Sequence, residues 1–174
     1  QVYQTDGEAI LRCGNTSCTK QIKGRLKHFC SKGAMDIDGL GEKVINQLVD
    51  EGLLDSISSI FSITEQNLLS LERFGEKSSS NLINAIKMSK KTSFSKFVYG
   101  LGIRNVGEHI ARLLDRNYEG NIKKFRYASS DELEKIEGVG PIVANEIVEF
   151  WSNQSNCIMV DECFVAGLVI EETT

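Results

Sequence analysis

At 174 residues, with 41% hydrophobic and 25% charged residues, the chain has the composition of a globular protein with room for one ordinary domain, or for a small module plus a compact one. No apolar run nears the roughly 18 residues that span a bilayer, and no basic-then-apolar signal opens the chain, so the expectation is a cytoplasmic protein. The net charge of -4 runs mildly against a polyanionic partner, but the charge is uneven: Ala9 to Met35 holds no acidic residue, while Arg12, Lys20, Lys23, Arg25, Lys27 and Lys32 all fall there.

Residues 1–31 read as a first unit. Ile10-Leu11-Arg12 forms a short strand entering Cys13-Gly14-Asn15-Thr16-Ser17-Cys18, and Thr19 is placed to cap a helix from Lys20 to Phe29. Cys13 and Cys18 flank a Gly-Asn turn that can bring two thiolates to one ion, the form of one knuckle of a structural zinc site. Such a site needs four ligands. His28 and Cys30 are candidates for the other two, but His28 reads better as a basic or packing residue; the favoured account is that the missing pair lies upstream of Gln1, and this half-finger is expected to bind zinc poorly. The five cysteines are an odd number and argue against a disulfide framework; Cys30, Cys157 and Cys163 are read as small buried hydrophobes.

From residue 32 to 168 the pattern is nearly all helix. Its organising feature is a tight turn ending in glycine and followed by an amphipathic run, at Gly41, Gly75, Gly107 and Gly140, spaced by 34, 32 and 33 residues. The runs are Glu42 to Val49, Glu76 to Ile83, Glu108 to Leu114 and Pro141 to Val148. Between them Gly52 closes the first helix, Thr64 caps the next segment, and Ser129 with Glu132 forms a capping box. Phe94, Phe97, Val98 and Leu101 belong to the core, and Phe150 and Trp151 are expected to pack on Ile158 to Leu168. No period-2 strand stands out after residue 31, and residues 169–174 read as a linker.

A glycine at a helix start permits close approach of the backbone, and the first N–H groups of a helix are unpaired at the positive end of its dipole. Such a corner suits a phosphate. Lys43 and Lys77 stand two residues past their glycines; the same position is His109 in the third copy and Ile142 in the fourth.

The sequence also resembles a known family. Arg12-Cys13-Gly14-Asn15-Thr16-Ser17-Cys18, His28-Phe29-Cys30-Ser31-Lys32-Gly33-Ala34-Met35-Asp36-Ile37-Asp38-Gly39-Leu40-Gly41 and Phe97 to Gly107 are similar to the carboxy-terminal half of bacterial-type NAD-dependent DNA ligases, over essentially the whole chain. The resemblance implies a mainly α architecture: a zinc finger, of which residues 1–31 hold the second cysteine pair, Cys13 and Cys18; a helical domain of four helix-hairpin-helix motifs at 32–168; and a linker at 169–174 toward a BRCT domain. It further implies that a nucleotidyltransferase domain outside these residues, using magnesium, takes AMP from NAD, passes it to the 5′ phosphate at a nick in duplex DNA and seals the strand in replication and repair. No Lys-x-Asp-Gly motif for that step occurs here, so these residues are expected to be non-catalytic.

The residues expected to hold DNA are Gly39, Gly41 and Lys43; Arg73, Gly75 and Lys77; Gly102, Arg104 and Gly107; and Gly138 and Gly140. The fourth copy lacks a cation, and Pro141 lacks an N–H, so it is expected to contribute least. The implied protein is a monomer in the cytoplasm at the nucleoid, with contacts to its own nucleotidyltransferase, OB-fold and BRCT domains. Two rival readings are a helix-hairpin-helix DNA glycosylase, from Gly138-Val139-Gly140 and a downstream Asp161, and a helical protein-interaction module.

Overall fold

The computed structural model describes residues 16–171, with side chains from Thr19 onward. The expected strand at Ile10-Leu11-Arg12, Cys13 and the side chain of Cys18 lie outside the described residues. The helices are α1 Thr16–Cys30, α2 Glu42–Asp50, α3 Glu65–Leu69, α4 Glu76–Ser89, α5 Phe94–Gly100, α6 Glu108–Tyr118, α7 Ile122–Arg126, α8 Ser130–Glu134, α9 Pro141–Ser152 and α10 Gln154–Val165. A 3-10 turn covers Ser58–Ser62. All four repeat helices start where their glycines placed them and run further than the apolar stripe alone indicated, because tertiary packing extends them.

Local chemistry sets most of the boundaries. Gly52, at φ 78°, ends α2 in a Schellman arrangement, with Gly52 N–H on the Val49 carbonyl and Leu53 N–H on the Leu48 carbonyl. Thr64 and Asn67 cap α3 reciprocally at 3.1 and 3.0 Å. Ser129 accepts from Glu132 N–H at 3.1 Å, but the Glu132 carboxylate takes the Tyr118 hydroxyl at 2.7 Å. Burial and that carboxylate together push the Tyr118 phenol up. α1 corrects the expected start, since it begins at Thr16 and Thr19 lies inside it.

α5 is the hub. Phe94, Phe97 and Val98 are fully buried; Phe97 stacks edge-on with Phe29 of α1 and Phe164 of α10, and Phe94 with Phe125 of α7. A Cβ at Gly100 would come within 3.1 Å of Phe29 and 3.2 Å of Ala34, so glycine is what lets α1 and its following turn press onto α5. Burying a Phe of this kind contributes roughly 1.5–3 kcal/mol. One hydrophobic cluster runs from Leu26 to Leu168, so the second half of α1 shares the core of the helices after it.

Two short strands overturn the expectation of none. β1 Lys91–Ser93 pairs in parallel with β2 Val169–Glu171, in the register Lys91 with Val169 and Ser93 with Glu171. Gly167, at φ 111°, turns the chain out of α10 toward this pairing. Residues 169–171, read from sequence as part of a linker, are therefore anchored to the segment between α4 and α5. Three residues are too few to show an alternation, and the partner is 78 positions away, so no local pattern announces the pair. Cys157 is also less buried than expected, with its thiol donating to the Trp151 carbonyl at 3.0 Å.

Candidate nucleic-acid interface

Four turns share one backbone plan. Each opens with an apolar residue whose carbonyl accepts from the amide three residues on: Ile37 from Leu40 at 3.2 Å, Leu71 from Phe74 at 3.4 Å, Ile103 from Val106 at 3.0 Å, and Ile136 from Val139 at 3.0 Å. The third residue of each turn has positive φ: Gly39 at 93°, Arg73 at 80°, Asn105 at 68° and Gly138 at 95°. That is the pattern of a type II turn. The fifth residue is the N-cap glycine of α2, α4, α6 or α9.

The positive-φ glycines answer to the protein itself. A Cβ on Gly39 would lie 3.4 Å from Leu82 of α4, and one on Gly138 would lie 2.7 Å from Leu113 of α6. The first turn thus packs on the helix of the second, and the fourth on the helix of the third. Arg73 and Asn105 occupy the same conformation at exposed sites.

Among the described residues nothing requires the N-cap glycines. Gly41, Gly75, Gly107 and Gly140 have φ between -107° and -85°, which any residue adopts, and a Cβ on each would meet nothing within 4 Å. Serine, aspartate or asparagine at these positions would cap the helix better. What glycine leaves is an open helix N-terminus with amides exposed to an outside acceptor. The donor sets differ: Ser78 Oγ accepts from Gly75 N–H at 3.0 Å, and Pro141 supplies no N–H, so the first and third turns present the fuller sets.

Lys43, Arg73, Lys77, Arg104 and His109 are all exposed, and Ile142 stands in the fourth copy at 71% exposure. Lys43 and Arg73 line one cleft of about 480 Å³ between the first two turns, closed on one side by Gln47 Nε2 donating to the Glu72 carbonyl at 2.9 Å. Glu42, Glu76 and Glu108 begin three of the helices and favour their dipoles; Lys27 draws Glu42 aside at 2.9 Å, and Arg112 lies 3.7 Å from Glu108.

Gly102 is placed differently from the other proposed contacts. Its φ of 71° and its N–H bond to the Tyr99 carbonyl at 3.1 Å make it the terminator of α5. In the third turn the residue equivalent to Gly39 is Asn105, which sequence reasoning missed; its offset of two before Gly107 was the available signal.

Among the described residues no group of three His, Cys, Asp or Glu side chains is arranged to hold a metal. His28 Nε2 meets the Tyr99 carbonyl at 2.7 Å, and burial pushes the Cys30 thiol up to about 12. Asp161 forms a two-point pair with Arg126, at 2.6 and 3.3 Å, which holds its carboxyl below the usual range. No described helix is long and apolar enough to cross a membrane.

Two pairs of turns, in each of which one turn packs on the helix that follows the other, define a tandem helix-hairpin-helix protein. Comparison with known families agrees: residues 32–88 match a SAM-like helix-hairpin-helix tandem, and residues 96–160 match a helix-hairpin-helix motif. Across nearly its full length the chain is similar to proteins named DNA ligase. It is 41% identical to one from Desulfosudis oleivorans over 98% of this chain, 42% to one from Cellvibrio japonicus over 96%, and 38% to one from Limosilactobacillus reuteri over 97%. The chain is thus similar along nearly its whole length to part of these proteins, and spans about a quarter of the length of the curated relatives it matches.

Proposed function

We propose that this chain is the DNA-gripping part of an NAD-dependent ligase that seals nicks in duplex DNA, and that it carries no nucleotidyltransferase site. The observation that carries the reading is the set of four N-cap glycines whose side-chain space is open and whose conformation does not require glycine. Each offers helix amides to a backbone phosphate, which positions a duplex without reading its sequence. Lys43, Arg73, Lys77 and Arg104 add charge-assisted contacts beside three of the four. AMP transfer, with its NAD and magnesium, falls to other parts of the ligase. In such a ligase Cys13 and Cys18 would supply two of the four ligands of a structural zinc. The whole ligase works as a cytoplasmic monomer at the nucleoid, with this part contacting its nucleotidyltransferase, OB-fold and BRCT domains.

Against the glycosylase reading stands the exposed position of Asp161 on α10, where it pairs with Arg126 at 2.6 Å. The test is binding of the chain to nicked, intact and single-stranded DNA of one sequence at several salt concentrations. Preference for duplex with a steep salt slope is the expected result. Absence of binding at low salt would sink the DNA reading of this chain and favour a protein-interaction module.

A further inference from the structure

Arg25 is the feature of α1 that the two matched motif regions do not account for. The acid-free stretch does not stay acid-free in space: Lys23 meets Asp50 and Lys27 meets Glu42, both at 2.9 Å. Arg25, between them in sequence, is exposed and forms no ion pair among the described residues. With His28, Leu101, Gly102, Ile103 and Val106 it lines a cleft of about 340 Å³. The opposite wall is the third turn itself, since Ile103 and Val106 make its closing hydrogen bond.

The two walls are fastened together. His28 Nε2 meets the Tyr99 carbonyl at 2.7 Å, its ring stands edge-on to Tyr99 at 4.6 Å, and a Cβ on Gly102 would lie 3.7 Å from His28. A Cβ on Gly24, the residue before Arg25, would meet nothing within 4 Å, so this part of α1 borders open space. Arg25 is therefore carried on a helix anchored beside the turn that leads into the open N-terminus of α6, and its guanidinium fork is exposed.

We infer that Arg25 is a ligand for the DNA sugar-phosphate backbone, acting with the third turn, so that the interface extends from the tandem motifs onto α1. This rests on the DNA reading above. The test measures affinity of the chain for a nicked duplex across a salt series. Arg25→Gln lowers affinity by about tenfold and the salt slope by about 0.9, equally for all sequences. Arg25→Lys keeps the slope and loses only part of the affinity, because charge survives and the fork does not. Lys87→Gln, at the far end of α4 from its turn, changes neither. An unchanged slope in Arg25→Gln, with Lys43→Glu still lowering its own, would overturn the role of Arg25 alone. If Lys43→Glu also has no effect, the DNA reading fails with it. An unaltered unfolding midpoint in Arg25→Gln separates loss of contact from loss of fold.

Discussion

The pair of turns within residues 32–88 and the pair within 96–160 repeat one backbone and differ in what stands beside it. In the first pair, Lys43, Arg73 and Lys77 surround the open helix ends, and two of them line one cleft. In the second pair the matching positions carry Asn105, His109 and the exposed Ile142, and Pro141 removes a donor. The difference teaches that the turn geometry and the cationic contact are separable. The first is kept by φ and packing, the second by side chains free to vary, and each can be broken without the other.

The largest effect is expected from filling an open cap. Gly107→Asp should leave the unfolding midpoint unchanged or raised, since aspartate caps well, yet lower DNA affinity more than tenfold by placing a carboxylate where a phosphate would sit. Gly140→Asp should cost several-fold less, and equal losses in paired titrations would show that the fourth turn grips as firmly as the third. Next come the cations. Lys43→Glu and Lys77→Glu should each flatten the salt slope by about one, whereas Ile142→Lys should steepen it by about one. A flat response to Ile142→Lys would mean the fourth turn faces away from DNA.

Arg73 combines both properties in one residue. Its φ of 80° is unfavourable for a side chain, so Arg73→Gly should raise stability in a denaturant titration by up to about 1 kcal/mol while removing about one unit of salt slope. A stability loss would show that the arginine stem packs usefully. The smallest effect concerns Ser79, fully buried, its hydroxyl without a partner among the described residues, at the position that is Ala111 and Ala144 in the second pair. Ser79→Ala should be neutral or stabilising by up to about 1 kcal/mol, read from the same titration; a clear loss would point to a hydrogen bond made by that hydroxyl.

Much of this organisation was legible because it is local. A glycine before an amphipathic run marks a helix start whatever surrounds it, and Thr64, Ser129 and Gly52 act on neighbours within a few residues. What could not be read depends on distant partners. The β1–β2 pairing joins segments with no alternation of their own. Lys23 and Lys27 looked free until α2 brought Asp50 and Glu42 to them. Glu132 had a local partner available and took Tyr118 instead.

The sequence by itself therefore determined where each repeat helix starts, which residues face the core, and where cations stand relative to each glycine, because helix geometry and capping act over three or four residues. Only the tertiary structure decided which glycines the protein needs for itself. Gly39 and Gly138 lie against Leu82 and Leu113, while Gly41, Gly75, Gly107 and Gly140 border open space. The letter is the same in both sets; the difference lies in what approaches from outside the segment, and no local pattern carries that.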